Sequence, residues 1–166
     1  MKITDMKVFP MGSAWRNLIY IRLETDEGLT GVGEASLTNR EEGMLGYLEG
    51  VKRKHVIGSD PFNIEDLWLR MWRNEFWRGG VMATTAMSAV EIACWDIVGK
   101  AAGQPVWRLL GGKCHDRIKA YANGWYTVER SPKEFAKRVK AVLKRGYKAL
   151  KVDPFGPGAY ELERKE

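Results

Sequence analysis

Apolar and polar residues alternate over residues 2–9 and again over 17–25, the period of two that a half-buried strand requires. Thr25-Asp26-Glu27-Gly28 then supplies turn chemistry before a third run, Leu29 to Ala35. These segments predict a three-stranded antiparallel meander. From Glu41 the period lengthens: a helix is predicted to about Val56, Ser59-Asp60-Pro61 breaks it, and a second helix starts near Asn63. Leu67, Trp68, Met71 and Trp72 recur there at helical spacing and read as core. A third helix, about Met82 to Ala102, places Met87, Val90, Cys94, Ile97 and Val98 on its buried side, and Gly103 with Pro105 marks its stop. Within it Asp96 and Lys100 form an i,i+4 pair of favourable polarity. A short helix from Pro105 to Leu110 ends at Gly111-Gly112.

Past Lys113 the pattern changes to strand, helix, strand. The first strand is predicted over about Arg117 to Asn123, and Lys148 to Pro154 reads as a second, buried one. Between them Ser131-Pro132-Lys133-Glu134 is a capping box with proline at the first helical position, opening a helix that runs to about Gly146. Strands followed by helices indicate an α+β domain, residues 1–114, and the parallel βα unit indicates a second, α/β domain beginning at 115–166. Parity puts Lys119, Tyr121 and Asn123 on one strand face and Lys151 with Asp153 on one face of the other. Ile118, Ala120, Leu150 and Val152 take the opposite faces. In a barrel the apolar faces pack on helices and the polar ones look inward, where a lysine is costly unless paired or functional. Two readings follow: a structural Lys151–Asp153 ion pair, or a site.

The composition of the 166 residues, 45% hydrophobic and 29% charged with seven tryptophans, suits an ordinary globular core. No run approaches the ~18 consecutive apolar residues of a membrane span, and the opening residues form no signal peptide, so a cytoplasmic protein with no membrane partner is expected. Cys94 and Cys114 show neither disulfide nor metal spacing. The two histidines starve most acid/base schemes; His55 and His115 both read as surface residues. The charge of +6 invites a nucleic-acid partner, but the cations read as scattered, Lys52-Arg53-Lys54-His55 being the one dense cluster and a solvated helix end, so no nucleic acid is expected. Gly31-x-Gly33 lacks the third glycine of a phosphate loop.

The string Thr25-Asp26-Glu27-Gly28-x-x-Gly31-x-Gly33-Glu34-Ala35, then Arg78-Gly79-Gly80, then Ala89-x-Glu91-x-Ala93-x-Trp95-Asp96-x-x-Gly99-Lys100-x-x-Gly103-x-Pro105-x-x-x-Leu109-Leu110-Gly111-Gly112, resembles the mandelate racemase/muconate lactonizing enzyme group of the enolase superfamily. The run from Trp95 to Gly112 is the specific part. Trp77-Arg78-Gly79-Gly80 and Tyr121-Ala122-Asn123-Gly124-Trp125-Tyr126 resemble the acid-sugar dehydratases of the gluconate, galactonate or arabinonate kind.

The resemblance implies an α+β capping domain followed by the first βα units of a (β/α)8-type barrel, truncated here, since such a barrel needs about 250 residues. It also implies Mg2+ held by acidic residues on barrel strands three to five, a base that removes the proton α to a carboxylate, and loss of the β-hydroxyl to give a 2-keto-3-deoxy acid. The capping loops correspond to about Met11–Asn17 and Ser36–Arg40. Trp15, Arg16, Thr38 and Asn39 are thereby expected to contact substrate, with Arg78, Tyr121 and Asn123. Many relatives carry Lys-x-Lys at the second barrel strand, the second lysine being the base. Asp153 stands there instead, which shifts the base to a histidine on a later strand and leaves Lys151 to polarise the substrate carboxylate. Lys151 and Asp153 are the catalytic candidates, and the metal ligands are expected beyond Glu166, none in this chain. The implied parent is a sugar-acid dehydratase working as a homo-oligomer, the 166 residues alone being inactive. The alternatives are a racemase, epimerase or cycloisomerase of the same superfamily, or a non-catalytic assembly module.

Overall fold

The computed structural model describes residues 1–14 and 16–156. The chain divides into two compact units, Met1–Lys113 and Cys114–Glu166. In the first, β1 (Ile3–Gly12), β2 (Asn17–Thr25) and β3 (Thr30–Glu34) form an antiparallel sheet in the order β1-β2-β3. The alternation seen in the sequence is what makes this sheet one-sided: Ile19, Ile21 and Leu23 are fully buried. Between them, facing away from the core, Arg22 and Glu24 are joined by an ion pair, with Lys7 on the same carboxylate at 2.8 Å.

Against the buried face lies α3 (Gly80–Ala101), with α1 (Glu41–Val51) and α2 (Ile64–Arg73) packed on it, and the single turn α4 (Val106–Leu109) follows. The third helix runs antiparallel to β3 at unusually close range. A Cβ on Gly31 or Gly33 would collide with the carbonyl oxygens of Ala93 and Ala89 respectively, so the two glycines serve strand–helix contact. The Asp96–Lys100 pair does more than brace its own helix. Asp96 Oδ2 accepts from Val32 N at 3.0 Å and from Lys100 Nζ at 2.7 Å, and Lys100 also donates to Thr30 O at 2.6 Å. Both residues therefore occupy the free backbone groups of an edge strand that would otherwise invite pairing. By length and composition α3 could cross a bilayer. Its apolar side, Ala86, Met87, Val90, Cys94 and Ile97, is instead buried in the core of this unit.

His55 is not the surface residue its basic neighbours suggest: only 7% of it is exposed. Met44, Leu48, Val51 and His55 follow one another at four, three and four residues, so the histidine continues the buried stripe of α1, and a π-helical turn over Lys52–Val56 carries it inward. Burial, helped by Arg70 and Lys54, holds its imidazole below the ordinary histidine range. Lys52, from the same basic run, is ion-paired with Asp5 at 2.6 Å. Arg53 and Lys54 are exposed.

In the second unit α5 (Pro132–Lys144) starts as its capping box dictates, Ser131 Oγ accepting from Glu134 N at 3.3 Å. The strands expected on either side shrink to one parallel bridge, Ala122 with Leu150, held by Ala122 N to Ala149 O and Lys151 N to Ala122 O, both 2.9 Å. Val152 is 45% exposed and Lys151 and Asp153 are exposed, so the segment is not buried either. The physical reason is local. A parallel strand is stabilised when neighbours pair with it and helices cover both faces, and the described residues of this unit supply one helix and one bridge. Nor are the cations scattered. Lys133, Lys137, Lys140 and Lys144 form one exposed stripe along α5, opposite Phe135, Val139 and Val142.

Candidate active site

In the first unit the topology gathers three candidate segments at one end of the sheet. Gly12 pairs with Asn17 as the last pair of the β1–β2 hairpin, and Ser13 and Arg16 flank that pair. Ser13 bonds Arg16 across it: its N donates to Arg16 O at 3.1 Å, its hydroxyl bonds the same oxygen, and Arg16 N donates back to Ser13 Oγ at 3.4 Å. Because β3 is antiparallel to β2, with Tyr20 opposite Glu34, its C-terminal end lies beside the start of β2. There Ala35 N donates to Ile19 O and Ile19 N to Ser36 Oγ, which aims the segment after β3 out of that same end. Thr38 and Asn39 follow, both exposed, Asn39 in the left-handed region at φ 64°. Asparagine tolerates that conformation far better than most residues. Since Ala89 meets Gly33 and Ala93 meets Gly31, the N-terminus of α3 extends past the end of β3 as well. Exposed Arg78, two residues before Gly80, is thus brought to the end that carries Arg16, Thr38 and Asn39. Trp15 lies outside the described residues.

Four further candidates belong to the second unit. The bridge sets Ala122 beside Leu150 on one face and turns Tyr121, Asn123 and Lys151 to the other, where all three are exposed. Asn123 Oδ1 accepts from Gly124 N at 2.9 Å and Tyr126 OH at 3.0 Å, so its amide NH2 is what it offers outward. Lys151 is anchored through its backbone, Trp125 Nε1 donating to Lys151 O at 2.7 Å, and its ammonium makes no ion pair among the described residues. The structural Lys151–Asp153 pair is therefore not formed. Asp153 instead closes its own turn, Oδ1 accepting from Gly156 N at 3.0 Å, while Arg130 bonds the Asp153 carbonyl and stands 3.8 Å from Oδ2. That engagement makes Asp153 a turn residue and leaves Lys151 as the free charge. Arg130, twenty-three residues away, is invisible to a reading of the sequence because nothing in local spacing announces it. Trp125 lies within the dehydratase-like segment, which is the signal that points to it. Among the described residues no three His, Cys, Asp or Glu side chains are placed to hold a metal ion.

Residues 7–111 match the family described as mandelate racemase/muconate lactonizing enzyme, N-terminal domain. Similar curated proteins include a D-galactonate dehydratase family member from Marinomonas sp. strain MWYL1, 39% identical over 159 residues, and a D-mannonate dehydratase from Caulobacter vibrioides, 41% identical over 160. Each comparison takes in 95% of this chain and 38% of the relative, so the chain spans well under half the length of these proteins. Among solved structures, a mandelate racemase/muconate lactonizing enzyme-like protein from Roseovarius sp. TM1035 superposes with a TM-score of 0.83 at 36% identity, over 95% of this chain and 43% of that one. A mandelate racemase/muconate lactonizing enzyme from Sulfitobacter sp. gives 0.82 at 33% identity, with the same coverage.

Proposed function

We infer, since the chain belongs to the mandelate racemase/muconate lactonizing enzyme family of the enolase superfamily, that it supplies the capping domain and first barrel segments of a sugar-acid dehydratase. The observation that carries this reading is the similarity to galactonate- and mannonate-type dehydratases, which continues past the family match at residue 111 into the segment bearing Tyr121, Asn123 and Lys151. The substrate is a polyhydroxylated carboxylate, and the reaction removes the α-proton and expels the β-hydroxyl. Lys151 presents an unpaired ammonium on a short, backbone-anchored segment. Placed at the substrate carboxylate, it stabilises the negative charge that accumulates there once the α-proton has gone, an interaction stronger in the transition state than in the ground state. Asn123 donates its amide to a hydroxyl or carboxylate oxygen, and Tyr121 flanks it. Among the first unit's own candidates, Arg16 and Arg78 suit a carboxylate or vicinal hydroxyls, and Thr38 and Asn39 offer further polar groups to such a ligand.

Mg2+ in this family supplies electrostatic stabilisation of an enediolate. The described residues of this chain do not fit a metal cage, and the ligands are proposed to belong to the part of the relatives' length that this chain does not span. Asp153 is proposed as a turn-former that fixes the end of the Lys151 segment through Arg130 and Gly156 rather than as the base. The test is Lys151→Met in the complete enzyme, assayed for 2-keto acid formation across aldonic and aldaric acids. Activity should fall by roughly 10²-fold or more with little change in stability. A variant with normal turnover per folded molecule removes Lys151 from the chemistry. An enzyme that exchanges the α-proton of another acid without dehydration makes the protein a racemase or epimerase of the same superfamily.

A further inference from the structure

Charge is divided unevenly along this chain. Residues 1–113 hold 14 basic and 14 acidic side chains, whereas residues 114–166 hold 13 basic and 7 acidic, so the whole formal charge of +6 belongs to the second segment. At the C-terminal end of α5 a cleft of about 540 Å³ is lined by Lys119, Ala120, Arg145, Gly146, Tyr147 and Lys148. Three cations reach it from two directions, Lys119 from the segment before the bridge and Arg145 and Lys148 from the turn that leaves the helix. Among the described residues no acidic side chain lines the cleft and none of the three cations forms an ion pair. The Arg145 guanidinium lies over the Tyr147 ring, 5.7 Å from its centroid, which gives the cleft a flat wall with one cation fixed on it. The carbonyl end of α5 carries only about half a negative charge, enough to occupy one cation and not three.

We propose that this cleft is a binding site for a compact, multiply charged phosphate anion of the di- or triphosphate class. The ammonium groups of Lys119 and Lys148 meet oxyanions as point charges, and the guanidinium of Arg145 offers a planar fork that matches two phosphate oxygens. The stripe Lys133, Lys137, Lys140 and Lys144 leads along α5 toward the cleft and raises the local concentration of anions without binding them itself. A nucleic-acid strand suits the surface less well, because no aromatic side chain lies along the stripe to stack a base. An anionic membrane suits it less well too, because Phe135, Val139 and Val142 face away from the stripe and cannot insert.

Calorimetric titration of the 166-residue chain with inorganic tripolyphosphate tests the proposal. One equivalent should bind, more weakly as salt rises from about 0.05 to about 0.3 M. Replacing Arg145 and Lys148 together by Gln should weaken binding about 100-fold, on the scale of tenfold per charged hydrogen-bonding partner, while Lys137→Gln with Lys140→Gln should change it by less than about threefold. Lys119→Gln, outside the helix and its following turn, should weaken it about tenfold and serves where the double variant unfolds. The proposal is overturned by the absence of binding, by equal losses in the stripe and cleft variants, or by tighter binding of a short single-stranded oligonucleotide or of phosphatidylserine vesicles than of tripolyphosphate.

Discussion

The two units obey the same local rules and end in opposite physical states. In Met1–Lys113 twenty apolar side chains form one buried cluster, each strand has a partner and the β3 edge is bracketed by Asp96 and Lys100. In Cys114–Glu166 the buried apolar side chains are Ala122 and Val142 among the described residues, although the helix cap and the strand register are as well specified as anything in the first unit. The difference lies in what surrounds the elements rather than in the elements. Capping and pairing contribute about 1 kcal/mol apiece, while burial of a large apolar side chain contributes about 1.5–3 kcal/mol, so only the first unit gains the stronger of these two stabilisations many times over. The described candidate site residues of both units are exposed, and a buried apolar cluster stands behind those of the first unit.

The sharpest way to break this contrast is to separate β3 from α3. Gly33→Ala places a methyl group against the Ala89 carbonyl, a backbone atom that cannot swing aside, and should cost about 3 kcal/mol or more in urea-induced unfolding. Gly124→Ala in the second unit has nothing within 4 Å of the new methyl and a φ of 70°, so its cost should be about 1–2 kcal/mol of local backbone strain alone. Equal effects at the two positions would mean that the strand–helix approach contributes nothing special.

Next in size is Asp96→Ala. It leaves the Val32 N–H without its carboxylate and Lys100 without its partner, and about 1–3 kcal/mol should be lost for a polar group stranded at a strand edge. Concentration-dependent light scattering should show association through the uncovered edge of β3. A variant of unchanged stability and unchanged association state would reduce the bracket to an ordinary surface pair.

Much of this is legible in particular residues. Alternation over 2–9 and 17–25 locates the meander, Ser131-Pro132-Lys133-Glu134 locates the start of α5 to the residue, and the Asp96–Lys100 spacing locates an ion pair though not the strand edge it guards. His55 misleads because its neighbours are basic. The stronger signal is its place four residues after Val51, on the face that buries Met44 and Leu48. The lysine stripe hides for the converse reason: its members are separated in sequence by three or four residues and meet only on a helix. Lys148 to Pro154 has the composition of a barrel strand, but composition cannot supply the neighbours that make a strand, so the described structure keeps one bridge. The convergence of Arg16, Thr38, Asn39 and Arg78 needs the antiparallel order of β2, β3 and α3, which no local pattern states.

In the second unit the cap is the feature to remove. Ser131→Ala should cost about 1 kcal/mol, read as faster amide exchange in the first turn of α5, and should leave exchange in α3 untouched. Propagation of the effect into α3 would show that the two units unfold together.

The smallest expected effect arises in the first unit, at His55. His55 is buried among Arg70 and Lys54, with Glu75 the one nearby carboxylate acting in the opposite sense, and the net result is a depressed pKa in the folded protein. The unfolded chain, with a histidine near 6.5, therefore binds the proton more readily than the folded one. Stability contributed by the neutral imidazole is complete above about pH 6.5 and declines as the pH falls through that value toward the folded pKa. Acidification from about pH 7 to about pH 5.5 should accordingly lower the amide-exchange protection factors, which are corrected for the intrinsic pH dependence of exchange, in α1 and α2 around His55 before carboxylate protonation begins, and should leave those of α5 unchanged. His55→Gln keeps a polar group of similar size without the titration, and should flatten the pH dependence in that window. If the variant declines as steeply as the natural protein, the loss originates in another group and the buried histidine contributes no pH sensitivity. If α5 loosens in parallel, the independence of the second unit's helix from the first unit's core is wrong.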